Sequence, residues 1–493
     1  MTDQKEDQTQ SRLEKLQAIR ELGIDPYPAH YERTHLSRQA AAAFSECEEA
    51  GTQSPVVRIA GRIMAMRLMG KASFMDIQDG SGKIQAYFKK DSLGDERYQF
   101  LHNLDIGDFI GVEGPLFRTR TGEVTVQVSE YSFLGKSLRP LPEKWHGLTD
   151  TEKRYRQRYL DLISSESVRG IFQLRSRTIS AIRRFLESEG FMEVETPVLQ
   201  AVAAGALAKP FATHHNALNR DLFLRIATEL PLKRLIVGGL ERVFEIGRVF
   251  RNEGISIKHN PEFTTLESYQ AYADYNDLME MTERMVSSVA AEVLGKSTVE
   301  YDDSVIDFSP PWQRLSLRDA IQEHSGIDFE QFPNAPSLEA KIRETGITVD
   351  TGLSWGKLVD HLLSETVEPH LIQPTFLVDY PVELSPLAKR KPAQPELVER
   401  FEAFCGGMEI ANAFSELNDP QDQRGRFEEQ ERMRAEYGDE EMERTDLDFL
   451  TALEHGMPPT GGLGVGIDRL IMVLAGQRSI REVILFPQLR SKE

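Results

Sequence analysis

The chain has 493 residues, 40% hydrophobic and 28% charged, with a formal net charge of −20. Such a length divides over two or three domains, and no apolar run reaches the roughly eighteen residues a membrane-spanning helix needs. Two cysteines, Cys47 and Cys405, stand in no metal-ligand spacing, which argues against a disulfide framework or a zinc site and for a reducing compartment. Residues 1–10 are polar and carry no signal-peptide core, so a cytoplasmic location is expected. The net acidity argues against a nucleic-acid partner in bulk, but the charge is uneven. Residues 136–160 hold seven Lys/Arg against three Asp/Glu, and residues 395–450 hold seventeen Asp/Glu against six Lys/Arg.

Residues 11–22 place Leu13, Leu16, Ile19 and Leu22 at helical spacing before Gly23, predicting a helix packed on the body. From about Val56 to Leu134 the pattern turns to five or so short alternating runs, separated by Asp79-Gly80, Gly114-Pro115 and Thr121-Gly122. Strands at that spacing predict a small barrel of the OB type, which binds single-stranded nucleic acid by stacking bases on aromatic rings. Phe74 sits in one alternating run, and periodicity alone favours a place in the barrel core. Residues 136–166 contain Pro140, Pro142 and the basic KRYRQRYLDLI, read as a linker leading into a helix. The organisation expected is a helical extension over 1–55, a barrel over 56–135, a linker over 136–166 and a larger body over 167–493. An inserted helical element is expected around 280–390.

Four segments of the body carry chemistry. The first, IFQLRSRTISAIRRFLESEG, shows apolar Ile171, Leu174, Ile182 and Phe185 before Gly190, predicting a helix; a short strand then ends at Pro197. The second is ERVFEIGRVFRNEGISIKHNPEFTTLESYQAYADY, two period-2 runs flanking a polar loop. Alternation puts Phe263, Thr265, Glu267 and Tyr269 on one face, a costly core but a serviceable ligand floor. Arg251 and Glu253 close the incoming strand, where the guanidinium fork suits a phosphate.

The third segment is GGLGVGIDRLIMVLAG. It reads as a glycine-rich turn (Gly462, Gly464, Gly466) before a helix with Arg469 in its first turn, where the macrodipole disfavours a cation unless an anion is near. The fourth is RFEAFCGGMEIANAFSELNDP. With Gly406-Gly407 as a two-residue turn, Phe404 pairs with Glu409, so Glu402 and Glu409 become diagonal neighbours roughly 7–8 Å apart at Cα. Two carboxylates so placed repel unless a hard cation such as Mg²⁺ lies between them. Asn412, Phe414 and Glu416 have the opposite parity, and share a pocket with Glu409 only if the strand is irregular near Ala411, as with a bulge.

These segments resemble the signature motifs of class II aminoacyl-tRNA synthetases. The Pro-terminated helix–strand unit is similar to motif 1, FRNE–loop–HNPEF to motif 2, and G-x-G-x-G-x-D-R to motif 3. With the upstream barrel and the junction KSLRPLPEKWHGLTDTEKRYRQRYLDLI, nearly the whole chain resembles the bacterial-type class II lysyl-tRNA synthetases. The resemblance implies an α+β chain, with an N-terminal OB-fold barrel for the anticodon and a catalytic domain of antiparallel sheet flanked by helices. It also implies a homodimer, with ATP, L-lysine and tRNA(Lys) as partners and Mg²⁺ as cofactor. Other synthetases of the same subclass, for aspartate or asparagine, and lysine-transferring paralogs are the alternatives.

By the same resemblance, Arg251 and Arg469 are the catalytic phosphate ligands. Glu253, His259, Asn260 and Phe263 hold ATP together with Glu402, and Glu402 and Glu409 hold the metal. Gly205, Glu229, Glu267, Tyr269, Asn412, Phe414 and Glu416 form the lysine pocket, while Arg67, Phe74, Gln85 and Glu123 read the anticodon, with the central uridine as target. Three positions depart from the family pattern: Ala204 stands for a glycine, Met408 for a common arginine, and Pro231 for the aromatic after Glu229-Leu230. Pro231 lacks a backbone donor, so a local reshaping beside Glu229 is expected.

Overall fold

A computed structural model describes residues 2–142, 148, 150–206, 208–437 and 445–490. The chain divides into two compact units, Met1–Gly147 and Leu148–Glu493.

The first unit is built on β1 (Val56–Leu68), β2 (Ala72–Gln78), β3 (Lys83–Lys89), β4 (Phe109–Arg118), β5 (Val124–Val128) and β6 (Glu130–Gly135). Their order is β1-β2-β3-β5-β4, closed by a β1–β4 pairing, with β6 added to β4. This is the five-stranded closed barrel of an OB fold. Closure depends on β1 serving two partners: Val56–Arg62 pair with β4 and Arg62–Leu68 with β2, the strand bending at an irregularity between Ile63 and Ala65. Alternation sends Val57, Ile59, Ile63, Met75, Ile77, Ala86 and Val126 inward, all fully buried. The N-terminal helix, Thr2–Glu21, packs Leu16 and Ile19 against the unit and leaves Leu13 and Leu22 exposed. A spacing of three falls short of the 3.6-residue turn, so the four apolar positions drift off one face.

The second unit carries one large mixed sheet. Its main strands are β7 (Met192–Glu193), β8 (Arg242–Phe250), β9 (Glu262–Ala271), β10 (Gln313–Ser316), β11 (Thr375–Pro381), β12 (Gln394–Cys405), β13 (Met408–Ser415) and β14 (Thr460–Gly466), in the order β10-β11-β12-β13-β14-β9-β8-β7, with the short strand Arg390–Lys391 also paired to β12. The six inner strands pair antiparallel, while β7 and β10 join the two ends in parallel. The helices Glu166–Ser188 and Tyr275–Leu294 cover one face, burying Ile182, Leu186, Met285 and Val289 against Phe244, Phe401 and Leu463. Ser165 caps the first of these helices by accepting from Val168 N, and Gly190 follows its end with a positive φ.

Residues 317–370 form a separate helical cluster around Leu338, Leu358 and Phe329. This is narrower than the insertion anticipated over 280–390. Tyr275–Leu294 belongs to the main core and Thr375–Pro381 is an inner strand of the main sheet.

Candidate active site

The sheet face opposite those two helices floors a cavity of about 470 Å³. It is lined by Arg251, Glu253, His259, Asn260, Phe263, Glu267, Tyr269, Glu402, Glu409, Asn412, Phe414, Glu416, Arg469, Gly205 and Glu229. The structure thus brings together every body residue that the motifs singled out.

Its floor follows from pairing register. Tyr269 and Phe414 both pair with Gly462, and Glu267 and Asn412 both pair with Gly464. The glycines at 462, 464 and 466 therefore do not form a turn: they occupy alternate positions of the inner strand β14, and their missing side chains open the hollow. A Cβ on Gly462 would overlap Glu416 Oε1 and the Tyr269 ring. Across the β12–β13 hairpin Phe404 pairs with Glu409, then Ala403 with Ala411 and Glu402 with Asn412, leaving Ile410 as an extra residue. That bulge is the irregularity that the parity of Glu409 and Asn412 required, and both now face the cavity.

At one end of the hollow two guanidiniums stand among acids. Arg251 lies 5.2 Å over the Phe263 ring and donates to Ile226 O at 3.4 Å. Arg469 donates to Glu409 O and Oε2, each at 3.0 Å, and reaches His259 Nε2 at 3.1 Å. Burial, then the charges of Arg469 and Lys258, push His259 down to about 4, so its ring is neutral near pH 7. A guanidinium only donates, so Nε2 accepts and Nδ1–H donates to Ser256 Oγ at 2.8 Å. Asp468 anchors the Arg469 helix: it accepts from Thr264 N at 2.7 Å and pairs with Arg175, which also donates to Thr264 Oγ1 at 3.0 Å. Asn260 lines the cavity, yet its amide is engaged by the scaffold, donating to Glu262 O at 2.6 Å and accepting from Gln488 N at 3.2 Å.

Glu402 pairs with Arg400 and accepts from Tyr380 Oη at 2.8 Å. Burial pushes its carboxyl up to about 7; Arg400 opposes that shift, and Glu409 and Asp360 reinforce it. Carboxylates crowded in this way are an oxygen donor set which a hard divalent cation would relieve. Among the described residues no cluster of three or more His, Cys, Asp or Glu is close enough to hold a metal alone, so phosphate oxygens or water would complete any such site.

At the other end lies an acidic niche. Glu267 Oε1 accepts from Thr228 N at 2.9 Å, and burial pushes its carboxyl up to about 7. Burial also raises Glu416 and the Tyr269 hydroxyl well above their ordinary ranges. The anticipated reshaping at Pro231 does not occur. Thr228 immediately precedes the helix Glu229–Val237, and the first helical bond runs from Leu232 N to Thr228 O. Pro231 thus occupies the first turn, where an amide has no helical partner to lose, and Glu229 stays in the pocket.

In the barrel unit, Phe74 faces outward rather than into the core, 4.9 Å from Tyr87, which lies 5.9 Å from Phe117. Arg67 pairs with Phe74 across the strands, and Gln85 Nε2 donates to Glu123 Oε2 at 2.8 Å. The four barrel residues singled out therefore share one surface with two further rings. Tyr87 and Phe117 escaped the sequence reading, as did Lys233, Lys258, Asp360, Tyr380 and Arg400. Lys233 lies four residues after Glu229 on one helix, and Arg400 two before Glu402 on one strand; those spacings were the available signals.

Fold and site together define a class II tRNA synthetase. Residues 150–490 match the family model for class II tRNA synthetases (D, K and N), and residues 57–134 match that for the OB-fold nucleic acid binding domain. The chain is 59% identical to a lysine–tRNA ligase of Dehalococcoides mccartyi, over 98% of this chain and 97% of that one. It is 56% identical to a lysine–tRNA ligase of Pelotomaculum thermopropionicum (98% and 94% covered) and 55% identical to one of Moorella thermoacetica (98% and 97%). The chain belongs to the lysine–tRNA ligase family of class II synthetases.

Proposed function

We infer that this chain activates lysine with ATP and transfers it to the 3′ end of tRNA(Lys). The observation that carries this reading is a single cavity lined by the guanidiniums of Arg251 and Arg469, with Arg400 tied to Glu402 and Asn412, and by the three carboxyl groups of Glu229, Glu267 and Glu416. The acids suit the ε-ammonium of lysine; a pocket for aspartate would call for cations instead. A site that leaves buried acids unpaired when the ammonium is missing rejects near neighbours strongly.

The lysine carboxylate is ionised at neutral pH and needs no general base. It attacks the α-phosphorus of ATP as pyrophosphate departs, giving lysyl-adenylate. Arg251 stabilises charge on the α-phosphate, and Arg469, held by Glu409 and His259, binds the γ-phosphate. Phe263 stacks on adenine; its aromatic ring on the cavity wall, beneath Arg251, supports that role. Glu253 and His259 complete the nucleotide contacts, whereas Asn260 shapes the loop. Glu402 and Glu409 would hold Mg²⁺, which when bound supplies positive charge to the phosphate oxygens. The 3′-terminal ribose hydroxyl of tRNA then attacks the adenylate carbonyl and AMP leaves. Lysine-dependent acylation of a tRNA(Lys) transcript by the purified chain, with AMP and pyrophosphate formed in step, tests this reading. Acylation with aspartate or asparagine instead would overturn it.

The barrel surface of Arg67, Phe74, Tyr87, Gln85 and Glu123 is proposed to read the anticodon. A base stacked on an aromatic contributes about 1–3 kcal/mol, so Phe74→Ala is expected to raise the tRNA KM in acylation roughly 5- to 150-fold and leave pyrophosphate exchange unchanged. Gly462→Ala is expected to place a methyl group in the lysine niche and depress lysine kcat/KM in exchange about 100-fold or more, with circular dichroism unaltered.

The edge strand Met192–Glu193, exposed Val198 and Leu199, and exposed Tyr159 and Phe486 supply apolar surface for homodimerisation. Light scattering is expected to report twice the chain mass. No helix among the described residues is long and apolar enough to cross a membrane, and the proposed site of action is the cytoplasm.

A further inference from the structure

We propose that Lys233 is a specificity-determining residue: a resident ammonium that ties Glu229 to Glu416 and aims both at the niche, so that the niche calls for a second ammonium from its substrate. The inference rests on the lysine-pocket reading above and deepens it.

Lys233 does not line the cavity; it lies behind it. Its side chain is wholly buried on the helix Glu229–Val237, one turn after Glu229. Nζ donates to Glu229 Oε1 at 2.5 Å and pairs with Glu416 Oε2. It also lies 5.5 Å over the Phe414 ring and 5.8 Å over the Phe449 ring. Two acids on different elements, a helix and the end of β13, are thereby tied to one cation. The Oε1 atom of Glu416 has no hydrogen-bond partner although it is buried. An orphaned carboxylate oxygen next to Tyr269 and across the niche from Glu267 is the acceptor an incoming ammonium would meet.

The geometry explains why a resident cation matters. Glu229, Glu267 and Glu416 bring three carboxyl groups into a desolvated hollow, and Lys233 holds two of them from behind. A substrate ammonium would donate to the open Glu416 oxygen, whereas an uncharged chain end leaves that buried acceptor without a partner. Without Lys233, nothing ties Glu229 to Glu416 or aims the two at the niche. The niche would then lose its fixed acceptors and, with them, its preference for a cation. Lys233 touches no reacting atom, so its effect is confined to the choice and affinity of the amino acid.

The test is ATP–pyrophosphate exchange by the full chain, with L-norleucine, which lacks the ε-ammonium, as inhibitor. In Lys233→Met the lysine KM is expected to rise at least 100-fold. The ratio of norleucine Ki to lysine KM is expected to fall at least tenfold, and the ATP KM to stay within threefold. Lys233→Gln, which retains length and a donor, is expected to shift the ratio the same way, and it carries the test if the Met variant does not fold. Lys233→Arg, which retains charge, is expected to hold the ratio nearer to that of the parent chain. A merely structural role would raise all three constants together and leave the ratio unmoved, which would overturn the proposal. Glu267→Gln separates the two readings. If Glu267→Gln lowers the ratio while the Lys233 variants do not, only the role of Lys233 fails. If Glu267→Gln also leaves it unchanged, the pocket reading itself fails.

Discussion

Replacing Arg251 with alanine is expected to abolish lysine-dependent ATP–pyrophosphate exchange, with a loss on the order of 10³-fold or more in kcat. A guanidinium that stabilises charge developing on a transferring phosphorus contributes about 4 kcal/mol or more, and roughly 1.4 kcal/mol corresponds to a tenfold change in rate. Arg251 is suited to that role because its guanidinium lines the cavity over the Phe263 ring, with a long bond from Nε to Ile226 O, 3.4 Å away. Burial works against its charged form, which Glu253 and Glu409 favour and Arg469 further disfavours. A phosphate would compensate what burial costs. Arg251→Lys keeps charge but loses the planar fork, and is expected to recover only a small part of the rate. Near-normal exchange by Arg251→Ala would remove it from the phosphate site.

The second large effect is expected at Glu267, as a pH dependence and a loss of affinity. Burial raises its carboxyl to about 7, the Thr228 N–H opposes that shift, and Glu229 reinforces it. The sign follows from which form the ligand prefers. Below pH 7 Glu267 is protonated, and an incoming ammonium must expel that proton to gain its partner. Lysine KM is therefore expected to fall as pH rises from 6 to 7, by up to about tenfold, and to level above roughly pH 7.5. In Glu267→Gln that slope should vanish, and lysine kcat/KM should fall by about 10²–10³-fold, the scale of breaking a buried charged pair. Glu402 also titrates near 7, so the profile is read from lysine KM at saturating ATP. A Glu267→Gln profile parallel to that of the parent chain would assign the slope to another group.

Much of the site was legible because two strands obey strict alternation. Phe263, Thr265, Glu267 and Tyr269 share a face by period alone, and the cavity confirms that placement. The Gly406-Gly407 turn likewise set the register that pairs Phe404 with Glu409. The bulge at Ile410 was demanded by side-chain parity, but no residue type marks a bulge, so sequence alone left it open. Glycines 462, 464 and 466 were legible as a motif and misread as local structure. A period-2 glycine run before a helix looks like a phosphate-binding turn until its neighbours β9 and β13 are known to carry the large side chains. Phe74 failed in the opposite sense: alternation shows that a strand has two faces but not which of them points into a barrel. The contacts of Tyr380 with Glu402 and of Lys233 with Glu416 lay beyond reach for a third reason. Tyr380 arrives from a strand more than twenty residues away, and Lys233 pairs across two elements whose packing only the fold determines.

The lysine pocket is tested best by the amino-acid dependence of ATP–pyrophosphate exchange in the unmodified chain. One cavity with guanidiniums at its nucleotide end and carboxylates at its other end predicts strong exchange with L-lysine and none above background with L-aspartate or L-asparagine. Exchange supported by aspartate or asparagine, with lysine inert, would contradict it.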